Sequence, residues 1–230
     1  MNWKKTRHTI WKILKWTALV LLGLPIIGVL VYKWVPVRYT PLMLQRYIEG
    51  RPDSKHASQQ WVDISRISPE LVRAVISSED NLFAKHHGFA WGSIRQAWKD
   101  NHSGKRIRGG STISQQCAKN VFLPHWHSYI RKAYEAYITV LIELIWGKER
   151  IMEVYLNVIE MGPGVYGAEA AAQKYFRHSA SRITAQEAAL IAACMPNPRK
   201  FLVAAPSQYI RGRQQKILSL MPKMGKIELQ

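Results

Sequence analysis

A long uninterrupted apolar run near the N-terminus constrains this chain more than any other feature of its sequence. Residues 16–32 (WTALVLLGLPIIGVLVY) contain no charged side chain, and Lys15 and Lys33 bracket them. As a helix rising about 1.5 Å per residue, this run spans roughly 25 Å. Apolar residues on either side, such as Ile13 and Trp34, extend it toward the ~30 Å thickness of a bilayer core while the lysines reach the surface. The sequence therefore predicts one N-terminal transmembrane helix.

The same segment predicts an uncleaved anchor in a bacterial cytoplasmic (inner) membrane. A cleavable signal peptide has a shorter apolar core and small residues at its cleavage site, and residues 32–35 (YKWV) offer none. Basic residues precede the span, so the positive-inside rule keeps the N-terminus in the cytoplasm and sends the rest of this single-pass chain into the periplasm. Residues 1–37 are thus a cytoplasmic tail and anchor, 38–60 a polar connector with little periodicity, and 61–230 an exported domain.

The charge balance calls for an anionic partner. The chain has 33 Lys and Arg against 15 Asp and Glu, a formal net charge of +18. Anionic membrane lipids and a phosphate-bearing substrate both fit this excess. Nucleic acid also fits the charge, but it is disfavoured because an exported domain rarely meets it and no nucleic-acid motif is present. The two cysteines, Cys117 and Cys194, lie in apolar patterns that predict buried, unpaired thiols, with a disulfide as the alternative in an exported domain.

Residues 68–79 predict a helix that ends on an acidic side chain. Ser68-Pro69-Glu70 combines a capping serine, a proline in the first turn and an adjacent acid, which is typical of a helix start. Glu79 continues the apolar stripe of that helix, three and four residues beyond Ile76 and Val75. Burial and the negative end of the helix dipole would both raise the pKa of Glu79, as a general base near neutral pH requires. The alternative is an ordinary C-terminal acid that reaches solvent.

A second helix start, at residues 109–112 (GGST), is followed by polar side chains at helical spacing. Thr112 and Gln115 predict a capping box, and glycines before a helix leave free backbone amides for an anion. The polar residues that follow suit the hydroxyls and acetamides of a sugar, with a lysine for a phosphate. They are Gln115, Gln116, Lys119 and Asn120.

The longest helix predicted after the anchor runs from Ser128 to Trp146. Arg131 and Lys132 precede Glu135 by four and three residues, so the three side chains cluster on about one turn. They form either an exposed ion pair of little energetic value or a cationic clamp for a diphosphate. The apolar stripe of this helix is predicted to face the core through Ala133, Tyr137, Val140, Leu141, Leu144 and Ile145.

The rest of the chain is also predicted to be helical. A short helix is expected at residues 91–98, a basic loop at 101–110, a turn at 162–164 and a second capping box at Thr184 and Glu187. No strand-rich region, internal repeat or low-complexity segment is evident. The predicted fold class is therefore mainly α.

Taken together, the motifs resemble those of the peptidoglycan glycosyltransferases. The first two are the patterns at residues 79–89 (EDNLFAKHHGF) and 110–120 (GSTISQQCAKN). The third and fourth are at 131–135 (RKAYE) and 148–157 (KERIMEVYLN), and the fifth is at 184–192 (TAQEAALIA) with a proline at Pro196. The resemblance covers roughly residues 60 to 205, with the motifs in the family's order.

The resemblance implies a lysozyme-like helical domain that polymerises lipid II and releases undecaprenyl diphosphate. Glu79 matches the family's general base, which takes a proton from the acceptor 4-hydroxyl, and Glu135 matches its second essential acid, which assists departure of the diphosphate. The expected substrate-binding residues are Asp80, Phe83, His86, Arg95, Ser111, Thr112, Gln115, Gln116, Lys119, Asn120, Arg131 and Lys132. No Ser-x-x-Lys nucleophile pattern occurs in the chain, so no transpeptidase activity is expected.

The implied partners are lipid II, the growing glycan strand and membrane lipids, with cell-division or penicillin-binding proteins as further candidates. A divalent cation, Mg²⁺ or Mn²⁺, bridging the substrate diphosphate fits the family, although no metal-ligand spacing in the sequence supports a protein-held metal. Two other functions compete. One is a lysozyme-type lytic enzyme that uses two carboxylates, and the other is a membrane-tethered cell-wall adaptor without chemistry.

Overall fold

Helices form most of the described chain. The computed structural model describes residues 3–50, 57–92, 110–126, 128–225 and 227–229. The predicted helix at 91–98 and the predicted loop at 101–110, including Arg95, fall almost entirely outside these ranges. The helices are α1 (Trp3–Tyr32), α2 (Pro41–Ile48), α3 (Pro69–Glu79), α4 (Ile113–Phe122), α5 (Tyr129–Ile145), α6 (Gly147–Val158), α7 (Ala168–Phe176), α8 (Ala185–Cys194) and α9 (Gln208–Leu220). The predicted mainly α class is confirmed.

Helix α1 fits the predicted membrane anchor. Its segment Thr6–Tyr32 has 27 residues, and an 18-residue stretch within it has a mean hydropathy of 2.1, so it is long and apolar enough to cross a bilayer. Most of its apolar side chains lie on the surface, and Leu19 and Leu24, for example, are 54% and 64% exposed. Such exposure would be costly in water and is expected in lipid.

The segment predicted as a connector, residues 38–60, contains regular structure that its sequence pattern did not predict. Thr40 caps α2, its hydroxyl accepting a hydrogen bond from the Met43 amide (3.3 Å), and Pro41 occupies the first turn. The sequence Thr40-Pro41 is typical of a helix start and could have predicted α2. Strand β1 (Ser58–Gln59) then joins the domain beyond the connector, so the chain is tied into the fold before residue 61.

A small three-stranded sheet, in the order β1-β3-β2, closes one side of the domain. Strand β3 (Val165–Tyr166) pairs in parallel with β1, with Ser58 opposite Val165, and antiparallel with β2 (Glu160–Gly162). The predicted turn at 162–164 is the hairpin between β2 and β3. Parallel pairing of β1 with β3 requires contacts between residues about a hundred apart, which local patterns do not reveal.

The core is built where α3 and α9 pack against α8. Five of the ten residues of α8 are alanines, and Thr184 and Glu187 form the predicted capping box at its start. Alanines let neighbouring helices approach closely, and Ala188, Ala189 and Ala192 have no exposed surface. Cys194 at the end of α8 and Cys117 on α4 are buried free thiols, in agreement with the predicted unpaired state.

The predicted core-facing stripe of α5 is wrong in several positions. Ala133, Val140 and Leu144 are exposed, Leu144 by 77%, although the stripe placed them inward together with Tyr137, Leu141 and Ile145. The residues that α5 buries fully are instead Glu135, Ile138, Thr139 and Ile142. The reason is that α5 has a second contact face, which meets the anchor helix, so its apolar residues do not mark a single direction.

The contact between α5 and the anchor is made through backbone carbonyls of α1. Pro25 has no N–H, so the Leu21 carbonyl four residues earlier lacks its usual helical donor. The hydroxyl of Tyr134 on α5 donates to that carbonyl, and the Tyr137 hydroxyl donates to the Leu22 carbonyl at 2.7 Å. In an apolar environment an unpaired carbonyl is costly, so Tyr134 compensates for the proline.

The C-terminal end of α1 is fixed by the start of α6. The Trp146 indole donates to the Val29 carbonyl (2.6 Å), and the Arg150 guanidinium donates to the carbonyls of Tyr32 (2.8 and 3.1 Å) and Val35 (2.9 Å). An arginine at this end satisfies free carbonyls and complements the negative end of the helix dipole. The anchor is therefore docked onto the domain over several turns.

A double-mutant cycle tests the Pro25–Tyr134 contact. Tyr134→Phe should lower the thermal unfolding temperature in detergent, because it leaves the Leu21 carbonyl unpaired at a cost of about 1–3 kcal/mol. In a Pro25→Ala background the loss should shrink, because the substituted alanine would supply the missing helical N–H. Tyr137→Phe is the matched control, because the carbonyl that Tyr137 binds, that of Leu22, also has a helical donor, the N–H of Ile26. An equal loss from Tyr134→Phe in both backgrounds would contradict the compensation.

Candidate active site

The first candidate catalytic side chain, Glu79, ends α3 and faces α4. One of its carboxylate oxygens, Oε2, accepts a hydrogen bond from Gln116 Nε2 at 3.0 Å, and Oε1 lies 3.4 Å from the Ser78 hydroxyl. Burial raises the pKa of Glu79, while the Gln116 hydrogen bond and the charge of Arg213 oppose that rise. The apolar stripe of α3 thus delivers a partly buried acid, as the sequence predicts.

Asp80, one residue later, joins the end of α3 to the start of α4. Its Oδ2 accepts the backbone N–H of Ile113 at 3.0 Å and lies 2.8 Å from His86 Nε2. Asp80 is 7% exposed and Phe83 has no exposed surface. These three predicted substrate-binding residues, Asp80, Phe83 and His86, therefore make their contacts within the protein, where they shape the loop between the two helices.

The start of α4 is held by the predicted capping box. The backbone N–H of Gln115 donates to the Thr112 hydroxyl oxygen (3.2 Å), and the side-chain carbonyl of Gln115 accepts a hydrogen bond from the backbone N–H of Thr112 (3.0 Å). The Thr112 hydroxyl in turn donates to the Gly88 carbonyl at 2.6 Å. Both side chains are buried. Thr112 and Gln115 thus fix the geometry of the helix start, and Ser111 before them is exposed to solvent.

The second candidate catalytic side chain, Glu135, lies inside a cluster of positive charge. Arg131 Nη1 contacts Glu135 Oε2 at 2.7 Å, and Lys132 Nζ contacts Oε1 and also approaches the Ser111 hydroxyl (3.4 Å). The Glu135 carboxylate is 3% exposed, whereas Lys132 is 47% exposed. The alternative of an exposed ion pair does not hold, because the acid is buried while one of its cations faces solvent.

Lys119 on α4 adds to the same positive region. Burial lowers its pKa, the nearby Glu135 opposes this, and Arg131 and Lys132 contribute to the lowering. Burial and the charge of Lys119 also lower the pKa of His125, to about 3. Asn120 is buried, and its Nδ2 has no hydrogen-bond partner among the described residues. The region suits an anionic ligand.

The two candidate acids flank α4. Gln116 on α4 contacts Glu79, while Lys119, one turn later, interacts electrostatically with Glu135. Seven of the predicted site residues therefore lie on α4 or around it. They are Glu79, Ser111, Gln116, Lys119, Arg131, Lys132 and Glu135. Arg95 is the one predicted site residue outside the described ranges.

Sequence reasoning missed two residues that act on Glu79. Arg213 on α9 supplies positive charge near the carboxylate, and its Nε is held by the Ala193 carbonyl at 3.3 Å. Tyr155 on α6 is fully buried, and its hydroxyl donates to Gln116 Oε1 at 3.0 Å. Tyr155 lies in the fourth sequence motif, which gave it no individual role, and Arg213 lies in a basic stretch that offers no distinguishing signal.

A buried charged network also contacts α4, at Ser114. Glu143 accepts hydrogen bonds from Lys148 Nζ (2.7 Å) and from the Ser114 hydroxyl. The Lys148 ammonium also lies 4.6 Å from the ring centroid of Phe83, a cation–π contact. Lys148 belongs to the fourth sequence motif, and its contacts place that motif in the framework that holds α4.

Known proteins share this sequence over most of its length. A family model described as Transglycosylase matches residues 45–222. A biosynthetic peptidoglycan transglycosylase of Caulobacter vibrioides is 49% identical over 86% of this chain and 85% of that protein. Proteins of the same name from Bacteroides thetaiotaomicron and Pasteurella multocida are 51% and 46% identical, over 88% and 98% of this chain and 84% and 97% of theirs.

These matches define the class first. A family model covering more than half of the chain, with relatives well above 40% identity along nearly their whole length, identifies an enzyme of the glycosyltransferase class. The chain belongs to the transglycosylase family. The predicted family and enzyme class are confirmed.

The Asp80 contacts generate a stability prediction. Asp80→Ala should destabilise the domain by about 1–3 kcal/mol, because the buried Ile113 N–H and the His86 ring lose their acceptor. Thermal unfolding in detergent measures the loss. Asp63→Ala is the control, since Asp63 is exposed and its side chain makes no cap hydrogen bond. If Asp80→Ala were no more destabilising than Asp63→Ala, Asp80 would not join the two helices.

Proposed function

We propose that this chain is a peptidoglycan glycosyltransferase that polymerises lipid II into glycan strands. The observation that carries the proposal is the pair of acids in different surroundings on either side of α4. Glu79 is desolvated and has few hydrogen-bond donors, while Glu135 is buried between Arg131 and Lys132. The family match and the names of its relatives favour this function over a lytic enzyme or an adaptor.

In the proposed reaction Glu79 is the general base. Its carboxylate takes the proton from the acceptor 4-hydroxyl of lipid II as that oxygen attacks the anomeric carbon of the donor strand. The new glycosidic bond forms while the bond from the anomeric carbon to the diphosphate oxygen breaks, and the bonding electrons leave with undecaprenyl diphosphate. A carboxylate with a raised pKa suits this role, because it holds the abstracted proton more firmly near neutral pH.

The cluster around Glu135 is proposed to stabilise the departing diphosphate. Lys132 is partly exposed, so its ammonium can contact an incoming phosphate, and Lys119 and Arg131 add positive charge beside it. Fixed cations stabilise negative charge that develops in the transition state. Glu135 contributes by holding Arg131 and Lys132 in position through both of its oxygens.

The described residues do not fit a protein-held metal. They contain no group of three or more His, Cys, Asp or Glu side chains that could hold an ion. Both oxygens of Glu135 and the Oδ2 of Asp80 are also engaged with protein donors. A divalent cation held mainly by the substrate diphosphate is part of the family-based proposal, and no step is derived through it. Cell-division or penicillin-binding proteins as partners rest on the same resemblance.

The decisive experiment is polymerisation of purified lipid II in detergent. Glu79→Gln should lower the rate by about 10²–10⁴-fold, because it removes a general base while keeping the size of the side chain. Glu70→Gln is the control on the same helix; it changes a carboxylate in the first turn that pairs with Arg73. Polymer length is read on a gel.

Two outcomes would contradict the proposal. If the unmodified protein bound lipid II but made no polymer, the adaptor function would replace it, and if it shortened preformed glycan, the lytic function would. If Glu79→Gln polymerised as fast as Glu70→Gln, the transferase activity would stand but Glu79 would not be its base.

We also infer that the N-terminus is cytoplasmic and the domain periplasmic, from the basic residues before the span. Because both native cysteines are buried, introduced ones can be labelled selectively. Asp63→Cys should react with a membrane-impermeant maleimide in cells whose outer membrane is permeabilised, and Thr6→Cys should react only after lysis. Both positions are exposed. The reverse labelling pattern would refute this orientation.

A further inference from the structure

Three side chains from three helices form a hydrogen-bonded chain that ends on Glu79. The Tyr155 hydroxyl on α6 donates to Gln116 Oε1 at 3.0 Å. The other end of the same amide, Gln116 Nε2, donates to Glu79 Oε2 at 3.0 Å. Tyr155 has no exposed surface, and its ring packs in the main hydrophobic core. Its hydroxyl therefore has a fixed position relative to α4.

The donors and acceptors in this chain allow one arrangement when Glu79 is ionised. A carboxylate only accepts hydrogen bonds, so Gln116 must turn its NH₂ group toward Glu79 and its carbonyl oxygen toward Tyr155. A hydroxyl group can donate to that oxygen. Burial raises the pKa of Tyr155 well above its usual value, so the hydroxyl keeps its proton throughout the pH range in which the Glu79 carboxylate titrates.

We propose that Tyr155 is a positioning residue, which holds the Gln116 amide in the orientation that stabilises the carboxylate of Glu79. The proposal rests on the proposed function, in which Glu79 is the base. It also gives Gln116, predicted from the sequence as a substrate ligand, a role toward the enzyme's own catalytic group.

Other groups facing Glu79 are held separately from this chain. From α9, Arg213 contributes positive charge, and its Nε is bonded to a backbone carbonyl of α8. On the side of α3, Asp80 contributes negative charge and Ser78 lies 3.4 Å from both Glu79 and the Ala192 carbonyl of α8. None of these contacts involves the Gln116 amide. A change in the orientation of that amide would thus alter one stabilising contact and leave the charges in place.

Loss of the Tyr155 hydroxyl should therefore change the protonation of Glu79. Without that donor the Gln116 amide can rotate and turn its carbonyl oxygen toward Glu79. A carbonyl oxygen stabilises the protonated acid, which can donate to it, and disfavours the carboxylate. The pKa of Glu79 would rise further, so the base would be lost at a higher pH. The phenyl ring of a Tyr155→Phe variant would still fill the core.

The experiment is the pH profile of kcat/KM for lipid II polymerisation, whose acidic limb reports the base in the free enzyme. Tyr155→Phe should move the acidic limb upward by about one pH unit, the size expected for losing a hydrogen bond to a charged group. At high pH the rate should approach that of the unmodified protein. Tyr175→Phe on α7 is the matched control and should leave the limb in place.

A second background tests whether Gln116 is the intermediate. Gln116→Ala should itself raise the acidic limb, and adding Tyr155→Phe to it should cause no further shift. If Tyr155→Phe proved too unstable to assay, the pH profile of Gln116→Ala would still test the proposal, because an acidic limb that does not move in this variant overturns it. Thermal unfolding of each variant separates a loss of fold from a change in the limb.

Each remaining outcome has a distinct meaning. An acidic limb that is unchanged in Tyr155→Phe would overturn the positioning role while leaving the transferase activity intact. A full shift that persists in the Gln116→Ala background would show that Tyr155 acts on Glu79 without the amide, which also overturns it. Absence of polymer from the unmodified protein at every pH would instead overturn the proposed function.

Discussion

One buried carboxylate, Asp80, determines how the two helices of the candidate site meet. Its Oδ2 accepts the first backbone N–H of α4, from Ile113, and contacts His86 from the intervening loop. Glu79 immediately precedes Asp80, and Gln116 follows Ile113 by one helical turn. Fixing Asp80 against Ile113 therefore brings Gln116 within 3.0 Å of Glu79. The hydrogen bond from Ile113 to Asp80 therefore places Glu79, the proposed base, beside α4. This explains why the buried acid Asp80 directly follows the candidate catalytic acid Glu79.

The two candidate acids, Glu79 and Glu135, show that burial alone does not determine the chemical role of a carboxylate. Burial raises the pKa of Glu79, and the amide hydrogen bond from Gln116 and the more distant charge of Arg213 offset this rise only in part. Glu135 is more deeply buried but has a cation on each oxygen, Arg131 and Lys132. A buried acid with few donors is suited to accept a proton, whereas one that binds two cations is suited to hold positive charge in place. Helix α4 keeps these two environments apart.

The sequence predicted what is local and failed where a residue's surroundings come from distant segments. Helix starts, both capping boxes and the cluster around Glu135 follow from spacings of three or four residues, and the structure confirms these arrangements. The buried face of α5 was wrong because this helix packs against both the core and the anchor, so its hydrophobic pattern has no single direction. The role of Tyr155 and the charge of Arg213 could not be found either. Each depends on a contact across dozens of residues: Tyr155 stands in the fourth sequence motif, but the motif does not reveal its bond to Gln116, and the local pattern around Arg213 does not distinguish it from an ordinary surface side chain.

The anchor α1 contacts α5, the helix that carries the cationic cluster, so the bonds between α1 and α5 fix the position of the cluster relative to the anchor. Tyr134, next to Glu135, bonds to Leu21, which lies 11 residues before the end of α1 at Tyr32. At about 1.5 Å per residue, Tyr134 is therefore held roughly 17 Å back along α1 from Tyr32. In the proposed function the diphosphate is attached to a membrane lipid, so cations carried on the helix that docks against the anchor stay close to the membrane that holds this substrate.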